Sequence, residues 1–311
     1  MSFNFELQIS PRVANAIEGR RPIVALESTV LAHGLPFPLN LETANECEQV
    51  VREEGALPAT IAIVDGKPTV GLDDDQLQFI AGCKSPQGVP VEKVSLNNLA
   101  GVSLKGGWGA TTVGATLHIA HLAGLQVFST GGIGGVHLGA ADTFDISADL
   151  TALGRLPLIC VCAGAKAILD LPKTVEYLET IGLPIVGFQT DEFPAFYSRT
   201  SGLPVDIVVN SADEAADVAK LHWGTGISSA VLVCVPIPKE WEIPAVEVAQ
   251  KTAEAIDLAS RAGVRGKALT PFLLSQLERL SNGRTLVANR SLLINNARIA
   301  ARIASSLSRR V

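Results

Sequence analysis

Residues 125–166 read LQVFSTGGIGGVHLGAADTFDISADLTALGRLPLICVCAGAK, and the two apolar runs that bracket this stretch decide the fold. LQVFST and LPLICVCA each have the length and side chains of one buried strand, and each ends in small residues. Between them lies a polar, glycine-rich segment. Apolar strands that end in such loops belong to α/β sheets, which present their ligands at the carboxyl ends of their strands.

Working outward, strand and helix keep alternating. Ser10-Pro11 opens a short helix, the proline standing where its missing N–H costs nothing. PIVALESTV, residues 22–30, reads as a buried strand, and Asn40 as the cap of a helix LETANECEQVVREE that Gly55 terminates. ATIAIVDGKPTVGL gives two strands around the turn Asp65-Gly66. GATTVGATLHIAHLAG, residues 109–124, has helical spacing. Beyond residue 166 follow a helix around TVEYLETIG, a strand PIVGFQT, a helix opened by the Ser211/Glu214 capping box, and a strand AVLVCVPIP. Three helices close the chain: residues 244–262, a second from Thr270-Pro271, and NRSLLINNARIAARIASSLSRR. The expectation is one domain over residues 1–311. It is a large three-layer α/β/α fold with a mixed, mostly parallel sheet, the hairpin supplying the antiparallel part.

Hydrophobic residues make up 47% of the 311 and charged residues 18%, with a mean hydropathy of +0.31. No apolar run reaches the length of a membrane span, so extensive burial and an oligomer interface are expected instead. Lys+Arg of 25 against Asp+Glu of 31 gives a net charge of −6. Without a basic block, a nucleic-acid polymer is not an expected partner, whereas one phosphorylated small molecule could still be held by local donors. Cys47, Cys83, Cys160, Cys162 and Cys234 are odd in number and form no Cys-x-x-Cys pair, which argues against disulfides and zinc. The opening MSFNFELQIS has neither the basic nor the apolar region of a secretory leader, so the expected location is the cytoplasm.

Four features could carry chemistry. The glycines at 131, 132, 134, 135 and 139 lack the spacing of a dinucleotide fingerprint, and no amphipathic helix follows them. They suit either a tight loop or a loop whose N–H groups approach a ligand, with His137 beside it. Asp145, Ser147 and Asp149 alternate with Ile146 and Ala148. If extended, they share one face, suited to a cation or a polyhydroxylated ligand, or simply to solvent. Lys166 follows an apolar strand and small residues, with a helix expected next. If buried there it would lose proton affinity and become a nucleophile for a sugar aldehyde, though most lysines are surface residues. Glu27 interrupts PIVALESTV. It is either a costly buried carboxyl suited to general acid work or a glutamate just past the strand, bonded to Ser28 or Thr29. Lys93 and Lys105 are candidates for phosphate contact or ordinary surface lysines.

An ordered set of segments resembles the pseudouridine-5′-phosphate glycosidase family, also known as indigoidine synthase A-like. The set comprises VALESTVLAHGLPFP, GALPATIAIVDG, GATTVGAT, TGGIGGVHLGAADTFDISADL, VCAGAKAILDLPKTVEYLET, PAFYSRTSG, TPFLLSQLERL and NNARIA. The resemblance implies reversible cleavage of the C–C glycosidic bond of pseudouridine 5′-phosphate, giving uracil and ribose 5-phosphate. It implies Glu27 as proton donor and Lys166 as the nucleophile that bonds C1′. It further implies Asp145 as ligand of one divalent ion, Mn²⁺ or alternatively Mg²⁺, with waters completing the shell. Lys93, Thr112, Val113, Ser147, Ala148 and Asp149 align with substrate contacts. Thr130, Gly131, Gly132, His137 and Asn289 would line the same pocket. The resemblance also implies a homotrimer. Leu138 and Ala141 replace a basic and an acidic residue of that pattern, and Gly106-Gly107-Trp108 is a further departure. A Schiff-base sugar-phosphate lyase, an N-ribosyl hydrolase and a non-catalytic nucleotide-binding protein are the alternatives.

Overall fold

The computed structural model describes residues 6–264 and 269–309. In chain order the strands are β1 Gln8–Ile9, β2 Ile23–Leu26, β3 Leu57–Val64, β4 Lys67–Val70, β5 Glu92–Val94, β6 Gly109–Thr111, β7 Val127–Ser129, β8 Ile159–Cys162, β9 Ile185–Phe188, β10 Ile207–Val209 and β11 Val231–Cys234. They form one sheet in the order β1-β4-β3-β2-β7-β8-β11-β9-β10, with β6 pairing β3 and β5. Among the described residues only β3–β4 and β3–β6 are antiparallel, so the sheet is mixed and mostly parallel as expected. The β3–β4 turn is Asp65-Gly66, with φ of 48° and 77°. Both residues are left-handed, as a tight two-residue hairpin requires.

The crossovers decide where the helices lie. From β2 the chain moves one way along the sheet to β3, and from β7 it moves the opposite way to β8. Right-handed connections in opposite directions put their helices on opposite faces. Helix 39–53 therefore shares one face with the long helix 284–308, which it contacts, and with helix 212–224. Helices 113–122 and 148–153 contact each other on the other face. Covered on both faces, β8 and β11 are wholly buried, including Cys160, Cys162 and Cys234. All five cysteines are free thiols.

Two local expectations are corrected. Residues 109–111 are strand rather than helix, because β3 and β5 take up their backbone groups, and the helix spans Val113–Leu122. Asn40 does not cap its helix, which starts at Leu39 after Pro38. The Asn40 amide instead donates to the carbonyls of Leu31, at 2.5 Å, and Ala81, at 2.9 Å. Its own oxygen accepts from Leu41 N at 2.8 Å. Two buried carbonyls and one part-buried N–H thus depend on one side chain, and Asn40→Ala should cost about 2–4 kcal/mol in urea unfolding. A loss below about 0.5 kcal/mol would show that these bonds are replaceable.

Candidate active site

The chain diverges between β2 and β7, whose neighbouring connections run in opposite directions, and a crevice opens there at the carboxyl ends of the strands. Glu27 is the first residue after β2 and Thr130 the first after β7. Past the end of β8 the ladder continues irregularly: Ala163 N donates to Gly131 O at 2.9 Å, Ile133 N to Gly164 O at 3.1 Å, and Lys166 N to Ile133 O at 3.1 Å. The glycine loop is thereby stitched to the segment carrying Lys166. Glu27, Gly131 and Lys166 of this framework line a cleft of about 450 Å³.

Of the residues singled out from sequence, Glu27, Lys93, Thr112, Val113, Gly131 and Gly132 face this cleft. So do His137, Asp145, Ser147, Ala148, Asp149, Lys166 and Asn289. Thr130 stands behind the wall, and its hydroxyl donates to the Glu27 carboxylate. Lys105 is elsewhere, exposed and 3.9 Å from Glu92.

Asp149 departs from the extended pattern. Ser147 caps helix 148–153, its hydroxyl accepting from Asp149 N at 3.2 Å, so the backbone turns helical at Ala148. The Asp149 carboxylate points inward and accepts from Gly114 N at 2.8 Å and Gly134 N at 2.9 Å. Gly114 lies in the first turn of helix 113–122, where a negative charge is favoured. The close approach demands glycine at 134: an added Cβ would lie 2.2 Å from Ser147 Oγ and 2.6 Å from Asp149 Oδ2.

Asp145 remains half-exposed at the cleft mouth. Among the described residues no three His, Cys, Asp or Glu side chains gather as a metal cage. A carboxylate such as Asp145, outside any such cage, fits a weakly held hard cation that keeps most of its waters. The helix after Lys166 begins only at Leu171, capped by Asp170. The helix terminus expected to act on Lys166 is therefore displaced from it, and the lysine is half-buried.

Glu27 is 8% exposed. Burial pushes its carboxyl above the ordinary range, against the opposing pull of Lys166 and the Thr130 hydroxyl. His137 is pushed down by burial, with Asp145 opposing and Lys166 and Lys93 reinforcing the shift.

Sequence reasoning did not single out His33, Asn97, Phe196 or Asn296. The first three line the cleft. Phe196 holds a left-handed φ of 63° and sets its ring over Gly132. Asn296, inside NNARIA, donates to Thr130 O at 2.9 Å and so braces the glycine loop from the last helix. A histidine and an asparagine inside otherwise apolar segments were the available signals.

The sequence model for indigoidine synthase A-like proteins matches residues 12–306. This chain belongs to that family. A relative named pseudouridine-5′-phosphate glycosidase, from Caldanaerobacter subterraneus subsp. tengcongensis, is 51% identical over 303 residues, 97% of each chain. One of the same name from Solibacter usitatus is 48% identical, covering 97% of this chain and 99% of its own. Among solved structures, the prealnumycin C-glycosynthase AlnA in complex with ribulose 5-phosphate is 39% identical with a TM-score of 0.89, covering 99% of this chain and 98% of its own. An indigoidine synthase A-like protein from Thermotoga maritima is 36% identical with a TM-score of 0.88, covering 99% of each chain. For this member of the family, the buried carboxyl gives a measurable consequence. Folded Glu27 keeps its proton to higher pH than unfolded Glu27, so the folded state binds more protons and stability falls as pH rises above about 4.5. The fall ends once pH passes the raised folded value. Urea unfolding should show this decline in the wild type and a weaker one in Glu27→Gln. Parallel pH profiles for the two proteins would refute the assignment.

Proposed function

We propose that this protein is a pseudouridine-5′-phosphate glycosidase. It reversibly cleaves the bond between ribose C1′ and uracil C5 to give uracil and ribose 5-phosphate. The observation that carries this reading is the meeting of a buried, proton-retaining Glu27 with Lys166 in one cleft. The near-full-length identity to relatives of that name supports it.

The chemistry explains the pairing. The leaving atom is carbon, so the paired carboxylates of an ordinary glycosidase, which protonate a leaving heteroatom, cannot release it. Attack of the Lys166 amine on C1′ breaks the C1′–O4′ bond, and O4′ takes a proton. The nitrogen lone pair then forms C1′=N while the C1′–C5 electrons return to a uracil ring protonated at C5. Water adds to the imine, frees ribose 5-phosphate and restores the lysine. Glu27 is the proton donor beside Lys166.

The phosphate end is read as Lys93, Thr112, Val113 and the Ser147–Ala148 turn. There a cationic side chain and the N-terminus of helix 113–122 favour an anion. Gly131, Gly132 and Asp149 shape the floor, while Thr130, His137 and Asn289 orient the groups around it. A divalent ion, Mn²⁺ or Mg²⁺, held by Asp145 and waters would add positive charge at this site. We extend the reading to a cytoplasmic homotrimer. Exposed apolar side chains near the cleft mouth support self-association, Phe144 being 83% exposed.

Incubation with pseudouridine 5′-phosphate and Mn²⁺ should release uracil, and EDTA should suppress the release. Asp145→Ala should shift the Mn²⁺ dependence to higher concentration. Lys166→Ala should lose roughly a thousandfold or more in kcat. Borohydride with ribose 5-phosphate should trap a sugar on Lys166 by peptide mass mapping. No uracil from the wild type would rule out the activity, and a label on another residue would rule out the nucleophile.

A further inference from the structure

Among the described residues, five buried side-chain polar atoms have no hydrogen-bond partner, and two of them, His33 Nε2 and Thr112 Oγ1, belong to side chains that line the cleft. A buried polar atom left unpaired is costly, and a ligand that supplies the missing partner recovers the loss. Thr112 precedes the N-terminus of helix 113–122, where an anion is favoured. His33 lines the same cleft, on a helix that packs against β5, the strand of Lys93, and against β6. It ends the short helix Thr29–His33, which begins two residues after Glu27.

His33 also borders a second cavity, of about 210 Å³, that adjoins the cleft and shares with it Pro271, Leu274 and Asn289. Thr112, Val113, Ser147 and Ala148 do not border that cavity. The part of the cleft that adjoins this cavity is therefore lined by an imidazole, an amide and apolar side chains. Burial and the nearby Lys93 both lower the proton affinity of His33, which keeps the ring uncharged at neutral pH. An uncharged imidazole beside an amide suits a flat, neutral ligand with donors and acceptors around its rim, and uracil has that chemistry.

We propose that His33 is a base-recognition residue, its Nε2 and the Asn289 amide hydrogen-bonding the polar rim of uracil and setting the ring's register against Lys166. This rests on the glycosidase reading above. The synthetic direction separates the two substrates, because KM can be measured for uracil and for ribose 5-phosphate independently. His33→Ala should raise KM for uracil about tenfold or more. The KM for ribose 5-phosphate should stay within about twofold. His33→Gln, whose amide reaches about as far as Nε2, should recover part of the loss, and the shorter His33→Asn should not. If His33→Ala does not fold, the Gln–Asn contrast carries the same comparison. An unchanged uracil KM in these variants, or a rise confined to ribose 5-phosphate, would overturn the proposal alone. A wild-type protein that neither makes nor cleaves pseudouridine 5′-phosphate would overturn both this proposal and the reading it rests on.

Discussion

The Asp149 carboxylate is buried at a place where the sheet offers it no partner, and it must take its donors from elsewhere. It finds Gly114 N at the start of helix 113–122 and Gly134 N in the loop after β7. Hydrogen bonds to a charged group are worth about 1.5–3 kcal/mol each, so this residue ties two distant segments together. Other features follow from it. The glycine loop is held where Ile133 can bond both Gly164 and Lys166, and Ser147 is placed to cap helix 148–153. Remove the carboxylate and two inward N–H groups lose their partner, and with them the floor of the cleft.

Glu27 meets the same burial with a different outcome. Its side chain receives the Thr130 hydroxyl rather than two backbone donors, and burial outweighs the pull of Lys166. Two carboxyls within electrostatic reach thus have different surroundings, Asp149 accepting from two backbone N–H groups and Glu27 from one hydroxyl.

The departures from the family pattern have a spatial explanation. Leu138 and Ala141 are exposed and lie outside the set that lines the cleft. Trp108 and Gly107 serve the β3–β4 hairpin: the indole donates to Asp65 Oδ1 at 2.7 Å, and Gly107 O accepts from Gly66 N at 2.8 Å. This is a structural use of a stretch that sequence alone left unexplained. The extra glycine at 106 has a left-handed φ of 66°, consistent with the same tight return.

The long apolar strands and strongly capped helices were legible because their signals are local. LPLICVCA could only be a buried strand, Asp65-Gly66 only a tight turn, and Gly55 a helix stop, since each depends on its own backbone and a few neighbours. The short strands β1, β5 and β10 were not legible, because two or three residues acquire strand geometry only from a partner. Residues 109–111 looked helical for the same reason. The site divides likewise. Sequence determined which unusual side chains the chain possesses: a glutamate after an apolar strand, a lysine after small residues, a carboxylate pair at positions 145 and 149. Only the tertiary structure turned Asp149 inward, put Thr130 on Glu27, displaced the helix terminus from Lys166 and left His33 Nε2 without a partner. Each of those outcomes depends on groups tens to hundreds of residues away, and no local pattern encodes where a buried polar atom will find its donor.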